Sequence, residues 1–116
     1  MDIYHIWADL RPGVSDTSFA DNVATYMSHL KQHGLIEGWR LTRRKLGLGP
    51  ASLGEFHVMI EVKDLAQLEQ AFQRVASRAQ PVEGVHFGVN SLVHNAVFAL
   101  YRDFPDAFRQ RGEERY

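Results

Sequence analysis

Two histidines, His5 and His57, lie in runs that alternate as strands do: Asp2-Ile3-Tyr4-His5-Ile6-Trp7-Ala8-Asp9-Leu10 and Glu55-Phe56-His57-Val58-Met59-Ile60-Glu61-Val62. Successive side chains of a strand point to opposite faces. In the second run Phe56, Val58, Ile60 and Val62 make a wholly apolar face, leaving Glu55, His57, Met59 and Glu61 on the other. In the first run Ile3, His5, Trp7 and Asp9 match that second set. Side by side, the two strands would gather imidazoles, an indole and carboxylates on one face. Such a face suits a cleft or an interface better than plain solvent.

That grouping supports three chemistries. His5 and His57 could act as a general base tuned by a neighbouring carboxylate, which makes them the candidate catalytic pair. With Asp9, Glu55 and Glu61 they could hold a divalent cation. They could also bond backbone carbonyls or a partner acid across a subunit interface. No tight ligand spacing appears, so no metal site is assigned. Trp7 and Met59 would supply apolar contact to a planar ligand, with Glu61 and Asp9 as further ligand-binding positions. Interface packing would use Trp7 equally well.

A basic run follows in Arg40, Arg43, Arg44 and Lys45. Alternation sets Arg40 and Arg44 on one face and Arg43 and Lys45 on the other. Arg40 and Arg44 are the candidates for binding a carboxylate or phosphate, for which the guanidinium fork is suited. A charged edge strand protected against aggregation explains the same run. The next glycines, in Gly47-Leu48-Gly49-Pro50, do not make a phosphate loop, because no Lys-Ser/Thr pair and no helix follows. His29 and His33 have a helical i, i+4 spacing but lack a His-Glu-x-x-His pattern, so they read as exposed residues near a helix end. His86 and His94 carry no assigned role, although His94 leads into the last strand. Ser15, Ser52 and Ser91 have no nucleophile-elbow context.

The elements that must position these residues follow from punctuation and period. Arg11-Pro12-Gly13 ends the first strand. Ser15 or Asp16 caps a helix whose apolar face is Phe19, Val23, Tyr26, Met27 and Leu30, and Gly34 stops it. A second strand is expected over about 37–46, then an irregular 47–54 loop, then a third strand to about Lys63. Asp64 caps a second helix with Gln67 in the capping-box position and a stripe of Leu65, Leu68, Phe72, Val75 and Ala79. Pro81 breaks it. Residues 81–92 read as a short helix or an irregular arm, and Val93 to Arg102 as the last strand. Residues 1–103 are thus expected to form one domain, and 104–116 a charged tail.

The chain has 116 residues, 45% hydrophobic and 23% charged, with a net charge of −1. That length suits a single packed domain. The balanced charge offers no footprint for nucleic acid or an anionic membrane surface. The absence of cysteine excludes disulfides, thiolate metal sites and thiol nucleophiles. No signal-peptide pattern or membrane-length apolar run is seen, so a cytoplasmic protein is expected.

The order β-α-β-β-α-β with right-handed crossovers predicts an α+β, ferredoxin-like fold: an antiparallel four-stranded sheet with two helices on one face. In that topology the first and third strands are antiparallel neighbours. The other sheet face is left bare, and a second copy related by a two-fold axis would cover it. The order and the half-polar face resemble the dimeric α+β barrel superfamily, which includes antibiotic-biosynthesis-type monooxygenases, muconolactone-isomerase-like proteins and stress-responsive barrel proteins. The stretches Ile3–Trp7, Leu35–Gly47, Gly54–Glu61 and Phe98–Pro105 resemble an uncharacterised bacterial family of that superfamily over nearly the whole chain. The resemblance implies the fold and a homodimer, and it assigns no activity and no catalytic residues. The function expected is binding of a small planar or anionic organic molecule in the barrel cleft, with cofactor-independent monooxygenase- or isomerase-like chemistry. The alternatives are a non-catalytic homodimeric structural or regulatory module and, more weakly, a metal-binding protein.

Overall fold

The computed structural model describes residues 1–76 and 88–105. The elements are β1 (Asp2–Leu10), α1 (Asp16–Gln32), β2 (Gly38–Arg43), β3 (Phe56–Val62), α2 (Leu65–Ala76) and β4 (Val93–Arg102). The strands form one sheet in the order β2-β3-β1-β4, every neighbouring pair antiparallel. This is the ferredoxin-like α+β arrangement, with β1 and β3 at its centre. Ala79, Pro81 and His86 lie outside the described residues, as do the tail residues 106–116.

The core lies between the sheet and the helices. From α1 it takes Phe19, Val23, Met27 and Leu30, and from β3 Phe56, Val58, Ile60 and Val62. Side chains of this size, fully buried, each contribute about 1.5–3 kcal/mol relative to exposure. Ser15 caps α1, its Oγ accepting from Ser18 N at 3.3 Å. Gly34 ends it with φ of 69°, a left-handed conformation suited to glycine.

The second helix departs from its sequence pattern. Its buried residues are Gln67, Leu68 and Ala71, while Leu65 and Phe72 remain 59% and 47% exposed. The rotation follows from Gln67. Its Nε2 donates to Gly34 O and Glu37 Oε2, each at 3.0 Å, and its Oε1 accepts from Lys63 N at 2.7 Å. Asp64 Oδ1 accepts from Gln67 N at 2.9 Å, so the cap forms, but the reciprocal bond reaches Lys63 rather than Asp64. A polar side chain thus occupies the seat a leucine would take, because it satisfies three groups on neighbouring segments.

Strand β2 stops at Arg43, short of Leu46, because Leu46 and Gly47 adopt left-handed φ values of 58° and 67°. In β4 the register slips: Trp7 pairs with Val97 but Asp9 pairs with His94. Two residues, Asn95 and Ala96, therefore oppose Ala8 alone, and Asn95 has φ of 56°. This bulge switches the faces of the strand. It turns Val93 toward the core beside Leu10 and brings His94 level with Asp9. The described end of the 81–92 segment is a helical turn over 88–90, tied to α1 by Asn22 Nδ2 donating to Gly88 O at 3.1 Å.

Candidate functional site

The face away from the helices is built in rows across the sheet. One row is Gly38, Glu61, Ile3 and Tyr101; the next is Arg40, Met59, His5 and Ala99; the third is Thr42, His57, Trp7 and Val97. His5 is thus opposite Met59, and His57 opposite Trp7, so the imidazoles meet on the diagonal. His5 Nδ1 and His57 Nε2 are 2.8 Å apart, a hydrogen bond. Trp7 stacks on His57 with centroids 4.3 Å apart and planes 11° apart, and His5 stacks on His57 at 5.0 Å. Tyr101 meets His5 edge-on at 4.9 Å.

One bond between two imidazoles needs one donor and one acceptor, so the pair holds together with no more than one positive charge. Burial pushes both imidazoles below the usual histidine range, and for His57 the neighbouring His5 charge lowers it further. His5 Nε2 is buried and has no hydrogen-bond partner among the described residues. A buried bare ring nitrogen is tolerated more readily than a buried orphan N–H. The favoured neutral arrangement therefore has His5 Nδ1–H donating to His57 Nε2, and His57 Nδ1 carrying its proton outward. The outer nitrogen of His57 is a donor in that state; it is a base in the opposite tautomer, where His57 Nε2–H donates to His5 Nδ1 and His5 Nε2 carries the other proton.

The other expected site residues fall in different places. Met59 and Arg40 share the row of His5, and Arg40 is exposed. Glu61 is exposed one row further on. Asp9 is engaged in structure, since its Oδ1 accepts from Glu55 N at 2.9 Å and pins the start of β3 to β1. Glu55 bonds Arg43 Nε at 3.1 Å, and Arg43 reaches Asp16 at 3.0 Å over the Phe56 ring on the helix side. Arg44 lies beyond the end of β2, its Nη2 donating to Pro50 O at 2.9 Å and Leu53 O at 2.6 Å. Among the described residues no group of three His, Asp or Glu is placed to hold a metal ion. Nor is any helix there long and apolar enough to cross a membrane.

Features the sequence reading missed cluster around the β2–β3 loop. The loop folds back so that Leu48, Pro50 and Leu53, with Trp7, Thr42 and His57, line a cavity of about 190 Å³. On its other side Asp9, Ser52 and Asn95 help line a second of about 360 Å³. Close approach is allowed by Gly54, where a Cβ would stand 2.5 Å from the Ala8 carbonyl carbon. The glycine spacing in the loop was the available signal. A third, apolar cavity of about 330 Å³ lies on the opposite side of the sheet, under the helices. There burial beside Tyr4 pushes the Tyr26 phenol up to about 12.

A family model matches residues 1–116, the full span of the sequence. The chain belongs to DUF6614, a family of unknown function. Curated proteins give no match. Solved structures of like fold include the Arabidopsis thaliana protein At3g17210, with TM-score 0.70 and 8% identity over 89% of this chain and 95% of that one. A single-substitution variant of SnoaB, a cofactor-independent oxygenase from Streptomyces nogalater, has TM-score 0.65 and 9% identity, covering 93% and 97%. A dimeric ferredoxin-like protein of unknown function from Thermobifida fusca has TM-score 0.55 and 18% identity, covering 87% and 90%. These likenesses establish the fold, and the chain has the fold of the dimeric ferredoxin-like group.

Proposed function

We propose that the protein is a homodimer in which two copies of the histidine-bearing sheet face meet, and that the space between them binds a small planar or anionic organic molecule. The observation that carries this is the His5–His57 hydrogen bond at 2.8 Å, stacked on Trp7 on a face the chain's own helices leave uncovered. In the tautomer that leaves His57 Nδ1 bare, the neutral pair can take a proton from a ligand at that nitrogen, share the charge across one short bond and return the proton. That suits an isomerisation, in which a carbon acid loses a proton at one position and regains it at another, and no cofactor is consumed. The fold likeness to SnoaB keeps cofactor-independent oxygenation as a second chemistry for the same cleft. Partly or largely exposed Tyr101, Trp7 and Val97 supply apolar surface for the partner copy.

A non-catalytic interface module is the competing reading, favoured by the way the three rings already fill one another's faces. Two measurements separate them. Sedimentation is expected to give twice the monomer mass; a monomer would remove the cleft. A thermal-shift screen of planar acids and neutral aromatics is expected to yield binders whose shift disappears in His57→Ala. A dimer that binds none of them would support the module.

A further inference from the structure

We propose that the cavity beneath the β2–β3 loop is a seat for an aromatic carboxylate, with Arg44 as its cation and Trp7 as its stacking surface. This deepens the binding reading above and rests on it. The seat has three built features. The first is Arg44 itself, half-buried, its Nη2 fixed by two loop carbonyls. Among the described residues no carboxylate lies within ion-pair distance of it. Carbonyls orient a guanidinium without neutralising it, so the group keeps its charge and Nη1 its two N–H donors for an anion. Glu55 also lines the cavity, but its charge is met by Arg43.

The second feature is Gly49. A Cβ there would stand 2.6 Å from Arg44 Nε and 3.2 Å from Cζ, so the absence of a side chain makes the notch in which the guanidinium lies. The third is the wall formed by Trp7 and His57. Both rings line the cavity, the indole as its aromatic wall and His57, through its outer N–H, as a second donor. Leu48 and Pro50, both exposed on the loop, add apolar atoms to the lining. A cavity of about 190 Å³ with one aromatic wall and one uncompensated cation selects a flat monoanion about one ring in size. Its carboxylate would lie at Arg44, and its ring along Trp7 within reach of the imidazole pair.

Benzoate and its neutral analogue benzamide are the probes, read by titration of the assigned Trp7 indole N–H and Arg44 side-chain signals in NMR. Benzoate is expected to move both and saturate, with benzamide at least tenfold weaker. Arg44→Met and Gly49→Ala should each lose at least tenfold in benzoate affinity while keeping a folded spectrum. Lys45→Met, which removes an exposed neighbouring charge, should stay within twofold. If Arg44→Met disturbs the loop, Gly49→Ala decides alone, because it retains the cation and displaces it. Equal binding of benzamide and benzoate would overturn the seat. So would benzoate binding that moves His57 and Trp7 yet ignores Arg44→Met and Gly49→Ala, while leaving the wider cleft reading standing. If neither probe moves any signal on the histidine face, both proposals fall.

Discussion

Replacing Gly54 by alanine tests whether the loop is pressed onto β1 as described. The new Cβ would lie 2.5 Å from the Ala8 carbonyl carbon, 2.6 Å from its oxygen and 2.7 Å from its Cα. Carbon atoms in contact settle at about 3.5–4.0 Å, so something must move by about 1 Å. No rotamer change relieves a clash with backbone. β1 cannot retreat, because it is bonded to β3 on one side and β4 on the other. The loop end must therefore lift, straining the Asp9–Glu55 bond of 2.9 Å. Overpacking of this kind costs about 1–3 kcal/mol, and the lost hydrogen bond about 1 kcal/mol more. Gly54 has no left-handed φ, so alanine gains only about 0.4–1 kcal/mol from a less flexible unfolded chain. The net cost is about 2–3 kcal/mol, a fall in Tm of about 8–12 °C at roughly 4 °C per kcal/mol for a domain this size. Thermal unfolding followed by circular dichroism measures it, with exposed Ser52→Ala as the comparison, expected within about 0.5 kcal/mol of wild type. A Gly54→Ala protein melting within about 2 °C of wild type would refute the close approach and the cavities it frames.

Acid should weaken the fold through the imidazole pair. Both histidines titrate below their usual range when folded, so their stabilising contribution is complete above about pH 6.5 and is lost as pH falls through the lower folded values. Denaturant midpoints between pH 7.5 and 5 should show that loss in wild type and a flatter profile in His57→Gln; identical profiles would argue against the pair. Gln67→Ala should cost about 2–3 kcal/mol, because the Lys63 N–H and the Gly34 and Glu37 acceptors lose their partner together. Its signature is faster hydrogen exchange at the Lys63 amide, with the Asp64 cap on Gln67 N retained, and unchanged protection there would count against the network.

Much of this was legible from alternation alone. The shared face of His5, Trp7, His57 and Met59 follows from period two and from the strand order that right-handed crossovers impose. Register was not legible: the β1–β3 offset that sets the histidines on the diagonal and the β1–β4 slip at Asn95 both depend on backbone geometry that leaves the hydrophobic pattern unchanged. Arg40 kept its expected face. Arg44 sits past the end of the strand and is drawn into the loop by carbonyls that no side-chain pattern encodes. The α2 stripe rotated for a similar reason: a glutamine that bonds three groups on two segments outcompetes an apolar neighbour for the buried seat.

The irregularity at Asn95 matters beyond the site. β4 is a ten-residue outer strand carrying Phe98 and Leu100, both at least half exposed, and a straight ribbon of that kind invites unlimited templating by further chains. A kink near one end breaks the spacing of free amide and carbonyl groups that an incoming ribbon would have to copy. The broken spacing makes that rim a poor template for a further strand.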